Sequence, residues 1–163
     1  MILVRHAMPE VVPGVAPHLW ELGPEGRAAA RDLAGRLEGV RVVTSDEPKA
    51  LQTAEEIAAA HGAELVVDPR LREAARPAAW DQAYRETARR YLAGEALEGW
   101  EPHADVVERF GAAARGDIVV THGLALTLWL AVRGWVGESV EFWEALTFPD
   151  AYSALAGHLR RVH

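Results

Sequence analysis

Three short runs rich in valine, isoleucine and leucine constrain the fold of this 163-residue chain more than any other feature. They occupy residues 2–4, 40–43 and 118–120. Their apolar residues are largely continuous rather than alternating, and many are β-branched, which is the pattern of strands buried on both faces. Residues 65–67 and 154–156 are further strand candidates. The chain is therefore predicted to contain a sheet that is covered on both sides.

Segments with helical periodicity separate these strands. They span residues 24–37, 48–60, 78–92, 105–114 and 123–132, and Ser45 is a candidate N-cap of the second segment. The last segment is apolar on all sides, which predicts a buried helix. The alternation predicts an α/β fold, a three-layer sandwich in which helices flank a mostly parallel central sheet. The length fits a single domain over residues 1–163.

The composition narrows the classes of function. Seventeen basic and 24 acidic residues give a formal net charge of -7, which argues against nucleic acid or an anionic membrane as the main partner. Because there is no cysteine, disulfides, thiolate catalysis and cysteine-ligated metal sites are excluded. The longest apolar stretch, residues 124–132, is too short to cross a bilayer, and no signal peptide is evident. A cytoplasmic location is therefore expected.

Polar residues follow three of the predicted strands at the point where each strand ends. Arg5 and His6 follow the first, Lys49 lies one turn into the helix after the second, and His122 and Gly123 follow the third. Ligands bind at the carboxyl ends of parallel strands, so these residues are expected to converge. Two histidines, two cations and nearby helix N-termini form an anion site, and Gly123 would let backbone amides approach the ligand.

Four segments resemble the motifs of the histidine phosphatase superfamily, which includes the phosphoglycerate mutases. Residues 3–7 (LVRHA) are similar to its Arg-His-Gly signature. Residues 44–54 resemble the segment of its second arginine, residues 71–73 that of its acid, and residues 120–123 that of its second histidine. The segments occur in the family's order and together span most of the chain. The resemblance implies a phosphoglycerate-mutase-like fold.

The resemblance also implies a role for each matching residue. His6 would attack phosphorus and become a phosphohistidine, while Arg5, Lys49 and His122 would hold the phosphoryl oxygens, with Gly123 beside them. Glu73 would protonate the leaving alcohol, after which water would attack the phosphoenzyme. A neutral imidazole is a competent nucleophile near neutral pH, and phosphoryl transfer depends mainly on positioning and charge compensation. Judged from the residues alone, other acids are also possible: Asp81, Glu86, Glu95 and Glu101.

The chain departs from the family pattern at four places, the first of which is Ala7 in place of the signature glycine. Lys49, the one lysine among the seventeen basic residues, stands where the family has its second arginine, and it supplies a point charge rather than a two-pronged donor. Residues 8–11 replace the usual Thr and Asn after the signature. Residues 74–77 replace a Gly-rich turn that contains Trp. Arg72 and Arg76 are candidates to contact an anionic substrate.

The segment between Glu73 and the last strands leaves room for only a small cap region, around residues 74–104. An open pocket follows, which suits a hydrolase better than a mutase that must exclude water. The prediction is a histidine-type acid phosphatase, a phosphomonoesterase that hydrolyses small phosphorylated metabolites and needs no metal or cofactor. Two alternatives stay open: a phosphoglycerate-type mutase, and a non-catalytic binder of phosphate ligands on the same fold. The particular phosphoester and the oligomeric state are not determined by the sequence.

Overall fold

The computed structural model describes residues 1–77 and 83–162, which form a six-stranded sheet between helices. The strands are β1 Ile2–Arg5, β2 Arg41–Thr44, β3 Glu64–Val67, β4 Ile118–Thr121, β5 Asp150–Leu155 and β6 His158–Arg161. Across the sheet they lie in the order β3-β2-β4-β1-β5-β6. The first four in this order are parallel, whereas β5 and β6 are antiparallel to their neighbours. The predicted α/β fold with a mostly parallel sheet is confirmed.

Six α-helices connect the strands of the described residues. They are α1 Pro24–Ala34, α2 Pro48–His61, α3 Tyr84–Leu92, α4 His103–Ala113, α5 Gly123–Val132 and α6 Ser139–Ala145. Short 3-10 helices lie at Pro17–Leu19 and Pro69–Leu71. Five helices match predicted segments, although residues 78–82 of the third segment lie outside the described residues. Helix α6 and strand β6 were not predicted, and β5 begins four residues before its predicted start.

Proline and glycine determine where helix α2 begins and ends. Pro48 is its first residue, where a missing N–H costs nothing, and Gly62 ends it in the left-handed conformation with φ of 59°. Glu47 is the N-cap residue, with no side-chain capping bond. The prediction that Ser45 caps this helix is therefore wrong, because the helix begins three residues later.

Alternate residues of the strands enter two separate cores. Leu3 and Val119 pack with α4 and α5 on one face, whereas Val4 and Val120 pack with α1 and α2 on the other. This is the three-layer arrangement expected from the continuous apolar runs. Helix α5 has eight buried residues in a row from Gly123 to Leu130, as its uniform apolarity predicted. In the described part of the chain, every helix is too short or too polar to cross a bilayer.

The register of the central strands brings three chain segments to one edge of the sheet. Arg5 of β1 pairs with Thr121 of β4, and Thr44 of β2 pairs with Val120. The residues that follow these strands therefore emerge side by side. The backbone N–H of His6 donates to the Thr121 carbonyl at 3.0 Å, and this bond holds His6 at the edge of the sheet.

Candidate active site

A cavity of about 760 Å³ opens at the carboxyl edge of the parallel strands. All six residues that the sequence proposed for the site lie in its wall: Arg5, His6, Lys49, Glu73, His122 and Gly123. Small-molecule sites typically have volumes of roughly 300–1,000 Å³, so the cavity has room for a substrate considerably larger than a phosphate group. The convergence expected from the strand ends is thus present in the structure.

His6 is held as a neutral ring with one nitrogen that carries no proton. Its Nδ1 lies 2.7 Å from the Ala7 carbonyl oxygen, and since a carbonyl only accepts, Nδ1 carries the proton. Nε2 is left with its lone pair. Burial lowers the pKa of His6 well below its usual 6.5, and the nearby charges of His122, Lys49 and Arg5 lower it further. The ring is therefore neutral and nucleophilic at neutral pH.

His122 lies beside His6 and is completely buried. The two ring centroids are 5.0 Å apart. Its Nε2 lies 3.0 Å from Ser45 Oγ, while its Nδ1 has no hydrogen-bond partner among the described residues. Burial, followed by the charge of Lys49, lowers its pKa well below 6.5. A buried ring nitrogen without a partner is costly, so Nδ1 is a position where a ligand oxygen would stabilise the site.

Arg5 is oriented by an aromatic ring and a backbone carbonyl. Its guanidinium carbon lies 3.5 Å from the centre of the Phe148 ring, and Nη1 donates to the Leu146 carbonyl at 3.0 Å. Burial lowers the pKa of Arg5 to about 10, which still leaves it charged at neutral pH. Its Nε is buried and has no partner in the described part of the chain. Arg5 therefore retains a donor for a bound anion.

Gly123 provides space for Arg5. A Cβ atom at this position would lie 3.3 Å from Arg5 Nε and 3.1 Å from Trp143 Nε1. The sequence suggested that this glycine lets backbone amides approach a ligand. The structure gives a different physical reason, which is the close approach of two side chains to the start of α5.

Lys49 is paired with the buried carboxylate of Glu47, the N-cap residue of helix α2. Lys49 Nζ donates to Glu47 Oε2 at 2.5 Å and to the Pro17 carbonyl at 2.9 Å. Glu47 Oε1 accepts from the Glu73 N–H at 3.0 Å and lies 3.8 Å from His122 Nε2. Only 7% of each of Lys49 and Glu47 is exposed. The cavity wall thus contains Glu47 and Asp46 as well as Glu73, and the charge of Lys49 is partly compensated by Glu47.

Glu73 is tied to the N-terminus of helix α5. Its Oε1 accepts from the N–H groups of Ala74 and Ala125, at 3.0 and 2.8 Å, and Oε2 accepts from the N–H of Leu124 at 3.0 Å. These bonds satisfy two of the free N–H groups at the helix start, where a negative charge is favourable. Glu73 thereby connects its own segment to the turn that carries His122.

Three of the four other carboxylates that the sequence left open are engaged elsewhere. Glu101 pairs with Arg109, Glu95 with Arg90 and Glu86 with Arg89. None of these three lines the described part of the cavity, and Asp81 lies outside the described residues.

The two arginines proposed to contact substrate both line the cavity, but each is already in contact with another side chain. Arg72 Nε donates to Asp46 Oδ1 at 2.6 Å, and Nη2 donates to Oδ2. The guanidinium of Arg76 lies 4.4 Å from the centre of the Tyr84 ring. Neither contact tests the proposed role in substrate binding.

Comparison with known protein families identifies the family of this chain. The family model described as histidine phosphatase superfamily (branch 1) matches residues 1–155. The chain belongs to the histidine phosphatase superfamily. Among curated proteins, none matches it by sequence.

Solved structures share the fold at low sequence identity. A mycobacterial glucosyl-3-phosphoglycerate phosphatase is 22% identical, with 99% of this chain and 96% of that chain covered and a TM-score of 0.68. YhfR from Bacillus stearothermophilus is 19% identical over 98% and 94% of the two chains, with a TM-score of 0.68. A phosphoserine phosphatase mutant from Entamoeba histolytica is 17% identical over 99% and 94%, with a TM-score of 0.65.

The superfamily segment at residues 44–54 also contains residues that hold the site together. Thr53 Oγ1 donates to the Lys49 carbonyl at 2.7 Å and accepts from the Ala7 N–H at 3.0 Å. Gln52 Oε1 accepts from the Leu22 N–H at 2.6 Å. In this member of the superfamily, helix α2 therefore supplies a cation, fixes the backbone after His6 and holds the following loop in place.

Phe148 is the residue that sequence reasoning missed entirely. Its ring covers Arg5 and lies 5.3 Å from the His6 ring, centroid to centroid. Nothing in the sequence around Phe148 marks it, because its position depends on an antiparallel strand that starts earlier than predicted. Glu47 carried a weak signal, since it is an acidic residue two positions before the chain's one lysine.

Proposed function

We propose that this protein is a phosphomonoesterase that hydrolyses small phosphorylated metabolites through a phosphohistidine at His6. The observation that carries the proposal is the free Nε2 of His6, a buried neutral ring in a cavity wall shared with Arg5, Lys49 and His122. A neutral nucleophile surrounded by donors and cations is the arrangement that phosphoryl transfer requires.

In the proposed reaction the His6 Nε2 lone pair forms a bond to phosphorus while the bond to the alcohol oxygen breaks. The positive charge that develops on the ring is stabilised by the Ala7 carbonyl, which accepts from Nδ1. Arg5 Nε and His122 Nδ1 are buried nitrogens that lack a hydrogen-bond partner among the described residues, and they would donate to phosphoryl oxygens. Water then attacks the phosphohistidine, and phosphate leaves with His6 neutral again.

The leaving alkoxide needs a proton, and we propose Glu73 as the acid that supplies it and later accepts one from water. Glu47 is a second candidate, because it lies in the same wall and 3.8 Å from His122. Glu73→Gln and Glu47→Gln distinguish the two. The variant that removes the acid should lose roughly 100-fold in kcat on glycerol phosphate yet keep most activity on para-nitrophenyl phosphate, whose leaving group needs little protonation. Equal losses on both substrates for both variants would contradict an acid role.

The decisive experiment compares wild type with His6→Ala in assays of phosphate release from a panel of phosphomonoesters. His158→Ala is the matched control, since His158 is exposed on β6, away from the cavity. Wild type and control should release phosphate and form an acid-labile phosphoenzyme, and His6→Ala should do neither. Isomer interconversion without net phosphate release would instead indicate a mutase. Phosphate binding without any phosphoenzyme would indicate a non-catalytic binder.

The small cap region proposed around residues 74–104 contributes Arg76, Tyr84 and Arg85 to the cavity wall. These residues would contact the alcohol portion of the substrate rather than the phosphoryl group. The described part of this region is helix α3 and its flanking turns, which is small compared with the sheet domain. Such a cap supports hydrolysis over a mutase reaction, in which the intermediate must be shielded from water.

A further inference from the structure

The cavity mouth carries an unusual concentration of exposed apolar side chains. Met8, Val11, Leu19 and Phe148 are 49, 48, 55 and 37% exposed, and all four line the cavity. Singly exposed apolar residues are ordinary, whereas several that converge on one concave site mark a binding surface. We call these four residues the apolar wall.

The loop that carries most of the apolar wall is fixed by hydrogen bonds. Within it, the Glu10 N–H donates to the Glu21 carbonyl at 2.9 Å, and Trp20 Nε1 donates to the Val15 carbonyl at 2.9 Å. At Pro17 the loop carbonyl accepts from Lys49, at 2.9 Å. The wall is therefore held in place before a ligand binds, and it is connected directly to a cation of the proposed phosphate site. Preorganised apolar surface loses little entropy on binding.

Two of the polar side chains at the rim, both arginines, already lie against carboxylates. Arg72 is engaged in a two-pronged ion pair with Asp46, and Arg85 lies 3.7 Å from Glu144. A phosphoryl group fills only a small part of a cavity of about 760 Å³. The remaining space is bounded on one side by the apolar wall.

We infer that the site selects phosphomonoesters whose alcohol carries a large apolar group, aryl or branched alkyl, which packs against the apolar wall. The inference rests on the proposed function for the position of the phosphoryl group. It goes beyond that function by assigning the class of alcohol. Sugar phosphates and glycerol phosphate are poor substrates in this scheme. Their hydroxyl groups would lose water on binding and would gain few apolar contacts with the apolar wall.

The first test compares 2-phenylethyl phosphate with glycerol phosphate and glucose 6-phosphate in kcat/KM. All three release alkyl alcohols, so differences reflect binding of the alcohol portion more than the ease of breaking the P–O bond. The phenylethyl ester should be preferred by about 30-fold, the size expected for packing one ring against apolar side chains. A ratio near one would overturn the inference while leaving the proposed phosphatase intact.

Substitutions within the wall provide the second test. Leu19→Asn should lower the ratio of the two kcat/KM values, phenylethyl ester over glycerol phosphate, by about fivefold. The matched control is Leu155→Asn, an exposed leucine on β5 that does not line the cavity, and it should keep the wild-type ratio. Both leucines are more than half exposed, so neither change threatens folding. An unchanged ratio in Leu19→Asn would contradict the assignment.

Phosphonates separate this inference from the proposed catalysis, since they bind without being hydrolysed. Calorimetry with 2-phenylethylphosphonate and methylphosphonate should show tighter binding of the first to wild type, and a smaller difference in Leu19→Asn. If the protein hydrolysed no ester but still bound 2-phenylethylphosphonate more tightly than methylphosphonate, the apolar wall would be correctly assigned and the phosphatase proposal would be wrong. Equal binding of the two phosphonates would mean that the wall is not the site of the alcohol.

Discussion

At the residue scale, Gly123 shows how closely atoms are fitted around the cavity. A Cβ atom at this position would lie 3.1 Å from Trp143 Nε1 and 3.3 Å from Arg5 Nε. These separations are tighter than ordinary van der Waals contact, so an added methyl group would displace at least one neighbour. Arg5 is bound to Leu146 and stacked on Phe148, which means that its displacement also disturbs the donors aimed at a bound anion.

We expect Gly123→Ala to lower kcat/KM about tenfold, because small misplacements of a binding cation are costly to phosphoryl transfer. The same change should leave the thermal midpoint nearly unaltered, since alanine favours the helix that begins at this position. Gly111→Ala is the matched control. Gly111 lies in helix α4, away from the cavity, and a Cβ atom there would lie 3.3 Å from Trp129 Nε1. If Gly111→Ala reduced activity as much as Gly123→Ala, the effect would be one of general crowding.

Single residues also show what the sequence was able to predict. Arg5, His6 and His122 were found because each lies at the end of a buried strand or directly after it, and parallel strands end at a common edge. Glu47 was not recognised, since its burial follows from the way Lys49 folds back over the first turn of α2. Phe148 had no local signal at all. Side chains brought in by strand order can be predicted, whereas those brought in by loop conformation cannot.

At the scale of elements, the loop between α6 and β5 supports the site from outside the parallel sheet. This loop contains Leu146 and Phe148, and Asp150 holds its end. Asp150 is 4% exposed and accepts from the Thr147 N–H at 3.0 Å and from Arg161 Nε and Nη2, both at 2.8 Å. The carboxylate therefore links the loop to strand β6, on the edge of the sheet.

Asp150→Asn should lower the free energy of unfolding by about 2 kcal/mol, because it leaves Arg161 without its charged partner and weakens the loop bonds. It should also weaken phosphate binding severalfold, as Arg5 loses the support of the loop. Chemical denaturation and inhibition by inorganic phosphate measure the two effects. Asp68→Asn is the control, since Asp68 makes a similar two-pronged pair with Arg70 outside the cavity. A loss of stability with unchanged phosphate inhibition would contradict the link between loop and site.

The elements that were not predicted share a physical cause. Strand β6 has the sequence HLRR, which lacks the apolar run of a buried strand because it lies at the edge of the sheet. Helix α6 has seven residues, fewer than two full turns of periodic pattern. The buried parallel strands, in contrast, were all located within one or two residues. Apolar runs therefore identified the four parallel strands, whereas the polar edge strand β6 and the short helix α6 were missed.

At the scale of the whole molecule, burial of two histidines in one cavity affects stability. The pKa values of His6 and His122 both lie well below 6.5 in the folded protein, chiefly because of burial. The unfolded chain therefore binds more protons than the folded one once the pH falls below about 6.5. Stability that is present at neutral pH is lost as the pH decreases through this range. His103, whose pKa is also lowered by burial, acts in the same direction.

We predict that the free energy of unfolding falls between about pH 7 and pH 5, by at most about 1.4 kcal/mol per pH unit for each buried histidine. His122→Asn should make this dependence shallower, because one of the groups that takes up a proton on unfolding is removed. The control His158→Asn should keep the wild-type slope. Denaturant titrations at several pH values measure it, and a stability that rose on acidification would contradict the prediction.

The position of β1 in the sheet has a consequence for biosynthesis. This first strand pairs with β4, more than a hundred residues later, and with β5, nearer the end of the chain. During translation, the segment bearing His6 thus leaves the ribosome long before either neighbouring strand has been made. Contacts so distant in sequence form slowly and leave hydrophobic surface uncovered in the meantime. Nascent chains that stop before β4 should consequently lack catalytic competence and depend on chaperones.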